Sequence, residues 1–90
     1  MKEENAYKYM EDYLKDCSLR KRLSQKTIRA YKIDLRQYFE FVGEKKDDLK
    51  IINDYIHFLN KKYSKYKTVK RKIASIKAFY SYLEYEEIIT

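Results

Sequence analysis

Apolar residues recur along this chain at spacings of three and four, the signature of helices that bury one face. Over residues 4–18, Ala6, Tyr9, Met10, Tyr13, Leu14 and Cys17 share a stripe. Its acids, Glu3, Glu4, Glu11 and Asp12, favour the N-terminal half, and Arg20 and Lys21 follow its end, as the helix dipole prefers. A second helix is predicted over 25–42, with Ile28, Tyr31, Leu35, Tyr38, Phe39 and Val42 inward. Ser24 is its expected N-cap, and Gly43 stands where a C′ residue takes positive φ. A third is predicted over 54–63, capped by Asn53, with Ile56, Leu59 and Tyr63 inward. A fourth runs over 65–84 after Ser64, with Val69, Ile73, Ile76, Phe79, Tyr80 and Leu83 inward. Four amphipathic helices on short connections make an all-α, antiparallel four-helix bundle the default architecture. Its core should hold Leu14, Ile28, Tyr31, Leu35, Phe39, Leu59, Ile73, Ile76, Tyr80 and Leu83.

Composition sharpens this picture. The 90 residues form one domain's worth of chain, and a single Gly with no Pro argues against many-stranded folds that need turn residues. Fifteen aromatics, eleven of them Tyr, argue against disorder despite a mean hydropathy of −0.84. Apolar runs are too short for a membrane span, and the N-terminus lacks the apolar stretch of a signal peptide. The lone Cys17 makes neither an internal disulfide nor a zinc site, which fits a reduced, cytoplasmic setting.

The net charge of +7 is unevenly placed. Residues 17–36 carry seven bases and one acid, residues 61–83 carry eight bases and no acid, and the rest of the chain is acidic. Segregation of this kind is the footprint of a polyanion-binding face, whereas an ordinary solvated surface mixes both signs. On the second helix Lys26, Arg29, Lys32 and Arg36 form a stripe about 130° from the apolar one. On the fourth, Lys67, Lys70 and Arg71 lie opposite the apolar stripe, and Ala74, Ala78 and Ser81 continue their face. Small residues there admit a close neighbour, a helix more readily than a DNA backbone. Both basic stripes begin at a helix N-terminus beside hydroxyls, Ser24 and Thr27 in one case, Ser64 and Thr68 in the other. Free N–H groups, the dipole and a hydroxyl suit a phosphate, although Ser24 would cap its helix in any event. Lys65 and Lys77 complete the candidate set. Two basic helices on a bundle fit double-stranded DNA better than RNA, whose readers more often offer a stacking sheet.

The same two helices carry a resemblance. From Leu23 to Phe41, Leu23-Ser24, Thr27-Ile28, Tyr31 and Asp34-Leu35 keep the spacing of the "LS-x-x-T-I-x-x-Y-x-x-D-L-x-x-F" helix of tyrosine recombinase core-binding domains. Thr68-Val69, Arg71, Ile73-Ala74, Ile76-Lys77, Phe79-Tyr80 and Tyr82-Leu83 are similar to that family's "T-I-x-R-x-L-S-x-L-R-x-F-Y-x-Y-L" helix. Ala74 lacks the family's hydroxyl, and Lys77 keeps charge without a bidentate fork. The resemblance implies a SAM-like core-binding domain, residues 1–90, that grips one face of recombination-site DNA. It implies a separate C-terminal catalytic domain closing over the other face, and other recombinase protomers as partners. Cleavage and rejoining through a 3′-phosphotyrosyl link would need no metal or nucleotide cofactor.

That family's catalytic arginines, lysine, H-x-x-R motif and tyrosine nucleophile have no counterpart here. His57-Phe58-Leu59-Asn60 is not H-x-x-R. Tyr31, Tyr38 and Tyr80 fall on core stripes, and Tyr7, Tyr66 and Tyr85 are expected at the surface. Cys17 reads as a small core residue without a base or metal partner. The expectation is thus a binding module with no catalysis of its own, no membrane contact and no small-molecule ligand. Two other classes compete with it. A standalone helix-turn-helix regulator needs a three- to four-residue turn, and the Gly43–Asn53 connection is longer. A helical protein-interaction module would bind no DNA in a salt-dependent way.

Overall fold

The computed structural model describes residues 3–43 and 49–88. Four helices follow one another: α1 (Glu3–Leu19), α2 (Gln25–Val42), α3 (Leu49–Lys62) and α4 (Tyr66–Tyr85). No strand occurs among the described residues. Helices α2 and α4 form the centre, each packed against the other and against both α1 and α3, while among the described residues α1 and α3 do not pack together. The chain is the all-α four-helix bundle that its periodicity predicts.

The ends of the helices follow local chemistry. Ser24 is extended, its Oγ accepts the Thr27 N–H at 3.2 Å, and it caps α2. Gly43 closes the same helix at φ 53°, ψ −124°, donating its N–H to Phe39 O at 2.9 Å. An added Cβ there would meet nothing closer than Glu40 O at 3.9 Å, so backbone conformation alone selects glycine.

Two expected boundaries are corrected. Helix α3 begins at Leu49 rather than 54, and Asn53 is an exposed residue inside it rather than its cap. The extra turn survives because Ile51 and Tyr55 are both buried in the core. Helix α4 starts at Tyr66 rather than 65, with Lys65 as N-cap and no side-chain capping bond. The α3–α4 connection is therefore only residues 63–65, a turn as short as helix-turn-helix units use. The turn-length argument against that class holds at the α2–α3 connection alone.

The core is largely aromatic. Tyr13, Leu35, Tyr38, Tyr55, Leu59, Phe79 and Leu83 are fully buried, with Leu14, Phe39, Val69 and Ile76 beside them. Tyr38 meets Phe39, Tyr55 and Tyr80 edge-on, and Phe79 meets Phe39 and Tyr13 in the same way. Edge-to-face pairs contribute about 0.5–1.5 kcal/mol each beyond the area they bury. Of the expected core, Ile28, Tyr31, Ile73 and Tyr80 are half-buried and pack against this cluster. Tyr7 joins them, contrary to its expected surface position, whereas Tyr66 and Tyr85 are exposed. No helix among the described residues is long and apolar enough to cross a membrane.

Candidate nucleic-acid interface

Along α2, Lys26, Arg29, Lys32 and Arg36 are all exposed. Ile33, on the same outward side, is 61% exposed. At the head of the helix, Ser24 Oγ donates to Thr27 Oγ1 at 2.9 Å, which leaves Thr27's own hydroxyl proton uncommitted. Thr27 is half-buried, so its hydroxyl sits at the rim of the helix end. No acidic side chain occupies the first turn of α2 or of α4, and the positive ends of both dipoles are left uncompensated by acids of their own.

On α4, Lys65, Lys67, Lys70 and Lys77 are exposed and Thr68 is half-buried. The cations of this helix divide between its two flanks. Lys70 and Lys77 line a shallow depression against α3, with Asn60, Tyr66 and the exposed Ala74. Arg71 lies on the other flank and reaches α2. Its expected position opposite the core is thus corrected: Nη2 donates to Asp34 Oδ1 at 3.0 Å and Nε to Asp34 Oδ2 at 3.3 Å.

Asp34 is the centre of a cluster that the charge pattern does not reveal. It is 0% exposed, in spite of lying between basic turns of α2. Lys72 Nζ donates to its Oδ1 at 2.9 Å, and Ser75 Oγ to its Oδ2 at 2.9 Å. Ser75 Oγ also lies 3.0 Å from Arg71 O, the preceding turn's carbonyl. Lys72 is itself buried, its ammonium 5.3 Å from the centre of the Tyr63 ring, and the Tyr63 hydroxyl accepts from Gln37 Nε2 at 3.0 Å. Four donors on one carboxylate are what a buried anion needs to offset the loss of water. A polar seam thus binds the middle of α2 to the first half of α4 and to the turn before it.

Other bases of the two basic segments are engaged elsewhere. Arg20 bonds Asp16 Oδ1 at 3.2 Å and lies over the Tyr85 ring, tying the end of α1 to the end of α4. Lys21 lies over Tyr13 and Lys62 over Phe58. Cys17 is buried, and its free thiol packs in the core as its stripe predicts. His57 is exposed. Lys45 and Lys46, expected to be inert to DNA, lie outside the described residues.

By its fold the chain is a small all-α bundle, with the candidate cations exposed on two helices that pack together. The comparisons narrow that class. Residues 10–87 match the family described as phage integrase, N-terminal SAM-like domain, and the chain belongs to that family. It is 46% identical over 88 residues to a tyrosine recombinase of Agathobacter rectalis, covering 94% of this chain and 28% of the relative. It is 34% identical over 87 residues to tyrosine recombinase XerC of Thermodesulfovibrio yellowstonii, covering 94% of this chain and 29% of that protein. XerC of Leptospira interrogans is 36% identical over 92 residues, covering 96% and 28%. The chain thus spans less than a third of the length of the curated relatives it matches. No solved structure matches it.

Proposed function

We propose that this chain is the DNA-gripping module of a site-specific tyrosine recombinase, and that it holds recombination-site duplex through α2 and α4. The observation that carries this reading is the placement of charge. Nearly every candidate cation on those two helices is exposed, the two N-terminal turns are free of acids, and α2 and α4 pack directly together. On α2 the contacts fall to Ser24, Lys26, Thr27, Arg29, Lys32 and Arg36. On α4 they fall to Lys65, Lys67, Thr68, Lys70, Arg71 and Lys77. Most of them meet phosphates, which position the module, and fewer reach base edges. Cleavage and rejoining of strands belong to the remainder of a full-length recombinase, and further recombinase protomers complete the assembly on DNA. The exposed Ala74, beside Tyr66 on the α3 side of α4, suits a helix of such a neighbour.

Titration of the labelled chain with duplex DNA, followed by NMR, tests this. Perturbations should cluster at residues 24–36 and 65–77. Affinity should lie in the weak range of about 10⁻⁴–10⁻⁶ M and fall with salt at a log–log slope of about −0.9 per phosphate neutralised. Arg29→Ala or Lys70→Ala should weaken binding with the fold intact, since both side chains are exposed. Shifts confined to α1 and α3, or none at low salt, would favour a protein-interaction module instead. Incubation with supercoiled DNA should yield neither nicks nor a tyrosine-linked adduct.

A further inference from the structure

We propose that Asp34 is a positioning residue for DNA: it grips one edge of Arg71 so that the other edge stands ready for a backbone phosphate. The inference rests on the DNA-binding reading above and adds to it a residue that cannot touch DNA itself.

Charge is the first argument. Lys72, buried at 2.9 Å from Oδ1, already neutralises Asp34. Arg71 is therefore a surplus cation in the cluster, and the net +1 of the three groups resides on the only member that reaches solvent. Its side chain is 51% exposed, against 0% for Asp34 and 5% for Lys72.

Geometry is the second. The guanidinium has five N–H donors in a fixed plane, and Asp34 takes one from Nε and one from Nη2. Three donors remain, two of them side by side on the edge turned away from Asp34. A phosphate can accept them without displacing the carboxylate. The carboxylate is in turn fixed by Ser75 and Lys72, so the fork cannot swing with a loose anchor. A free surface arginine loses rotamer freedom when it engages a ligand, whereas this one is ordered beforehand.

Two single variants and their combination test the proposal through duplex affinity at low salt. Arg71→Ala should weaken binding about tenfold and reduce the salt slope by about one unit, as loss of one phosphate contact requires. Asp34→Asn removes a negative charge next to a polyanion, so bulk electrostatics alone would tighten binding. Positioning predicts the opposite sign, a loss of about threefold to tenfold, because a neutral amide releases the fork. In an Arg71→Ala background, Asp34→Asn should cause no further loss. Arg71→Lys, which retains charge without the fork, should fall within about threefold of Arg71→Ala.

Unchanged or tighter binding by Asp34→Asn overturns the proposal. So does an equal loss in both backgrounds, which marks a purely structural role. Should Asp34→Asn fail to fold, the unaltered chain supplies the measurement. The Arg71 Nε–H NMR signal should exchange slowly with solvent before DNA is added and shift on titration. A signal averaged like those of the other exposed arginines overturns the idea. If the unaltered chain binds no duplex at all, the DNA reading itself fails, and that outcome is distinct from the others.

Discussion

Asp34 is the one acid among the twenty residues 17–36, and, wholly buried itself, it meets two cations of α4, of which Lys72 is buried with it. Its removal and the removal of a partner are therefore unequal. Asp34→Ala strands the buried Lys72 ammonium and should cost about 3–5 kcal/mol. Lys72→Met leaves Asp34 with Arg71 and Ser75, fills a similar volume, and should cost less than about 1.5 kcal/mol. Urea unfolding of the two variants checks the ordering. The signal for this cluster was present in the sequence. Lys72 keeps the spacing of Val69, Ile76, Phe79 and Leu83, the core stripe of α4, and Asp34 neighbours Tyr31 and Tyr38 on α2. Reading by charge sends both residues to solvent. Reading by period alone puts a lysine in the core, which is reasonable only once its partner is identified 38 residues away. Partnerships across such separations are tertiary facts, and one-dimensional patterns do not hold them.

The four helices differ in how their ends are fixed, and the differences can be measured. Ser24→Ala removes the bond that satisfies the Thr27 N–H and should cost about 1 kcal/mol. Ser64→Ala, at a residue that caps nothing, should leave stability within about 0.5 kcal/mol of the parent. Gly43→Ala meets open space but imposes a positive φ with ψ of −124°, and should cost about 1–3 kcal/mol. Thermal melts of the three variants suffice. Helix existence was legible throughout because period and burial agree, and α2 was read to the residue because Ser24 and Gly43 bracket it. The start of α3 was not. Asn53 has the chemistry of a cap, and Lys50 and Asn53 are polar, so the segment reads as a connection until Ile51 is buried by packing. The start of α4 differs by a single residue, because Lys65 keeps extended backbone as the N-cap instead of opening the first turn. Of the candidate interface, the exposed lysines were read from the stripe. The division of α4's cations between two flanks depends on which neighbours the helix receives.

At the scale of the molecule, two tyrosines, Tyr13 and Tyr55, are buried whole in the core. Burial pushes the Tyr13 and Tyr55 hydroxyls well above the ordinary tyrosine value of 10.0, with Cys17 adding to the shift at Tyr13 and Tyr63 to that at Tyr55. Tyr82 shifts in the same direction, through burial first and then the nearby Glu86. Above about pH 10 the unfolded chain ionises these groups while the folded chain retains their protons. The unfolded state then binds fewer protons, so stability falls as pH rises. The stabilisation is fully present below pH 10 and is lost as the pH climbs through the raised folded values. Tyrosinate absorbance should show a late fraction that appears only with loss of helical circular dichroism. Simultaneous ionisation of all eleven tyrosines ahead of unfolding would contradict this arrangement.

The burial of Cys17 makes the molecule its own stopwatch. Its thiol is 0% exposed, and it is the only sulfhydryl in the chain. A maleimide or disulfide reagent reaches it only when α1 lifts from the bundle or the whole fold opens. When reclosing outruns labelling, the modification rate is the opening equilibrium multiplied by the intrinsic rate of a free thiol. Labelling with and without DNA would then read out how much a bound duplex tightens the bundle, without a reporter group having to be introduced.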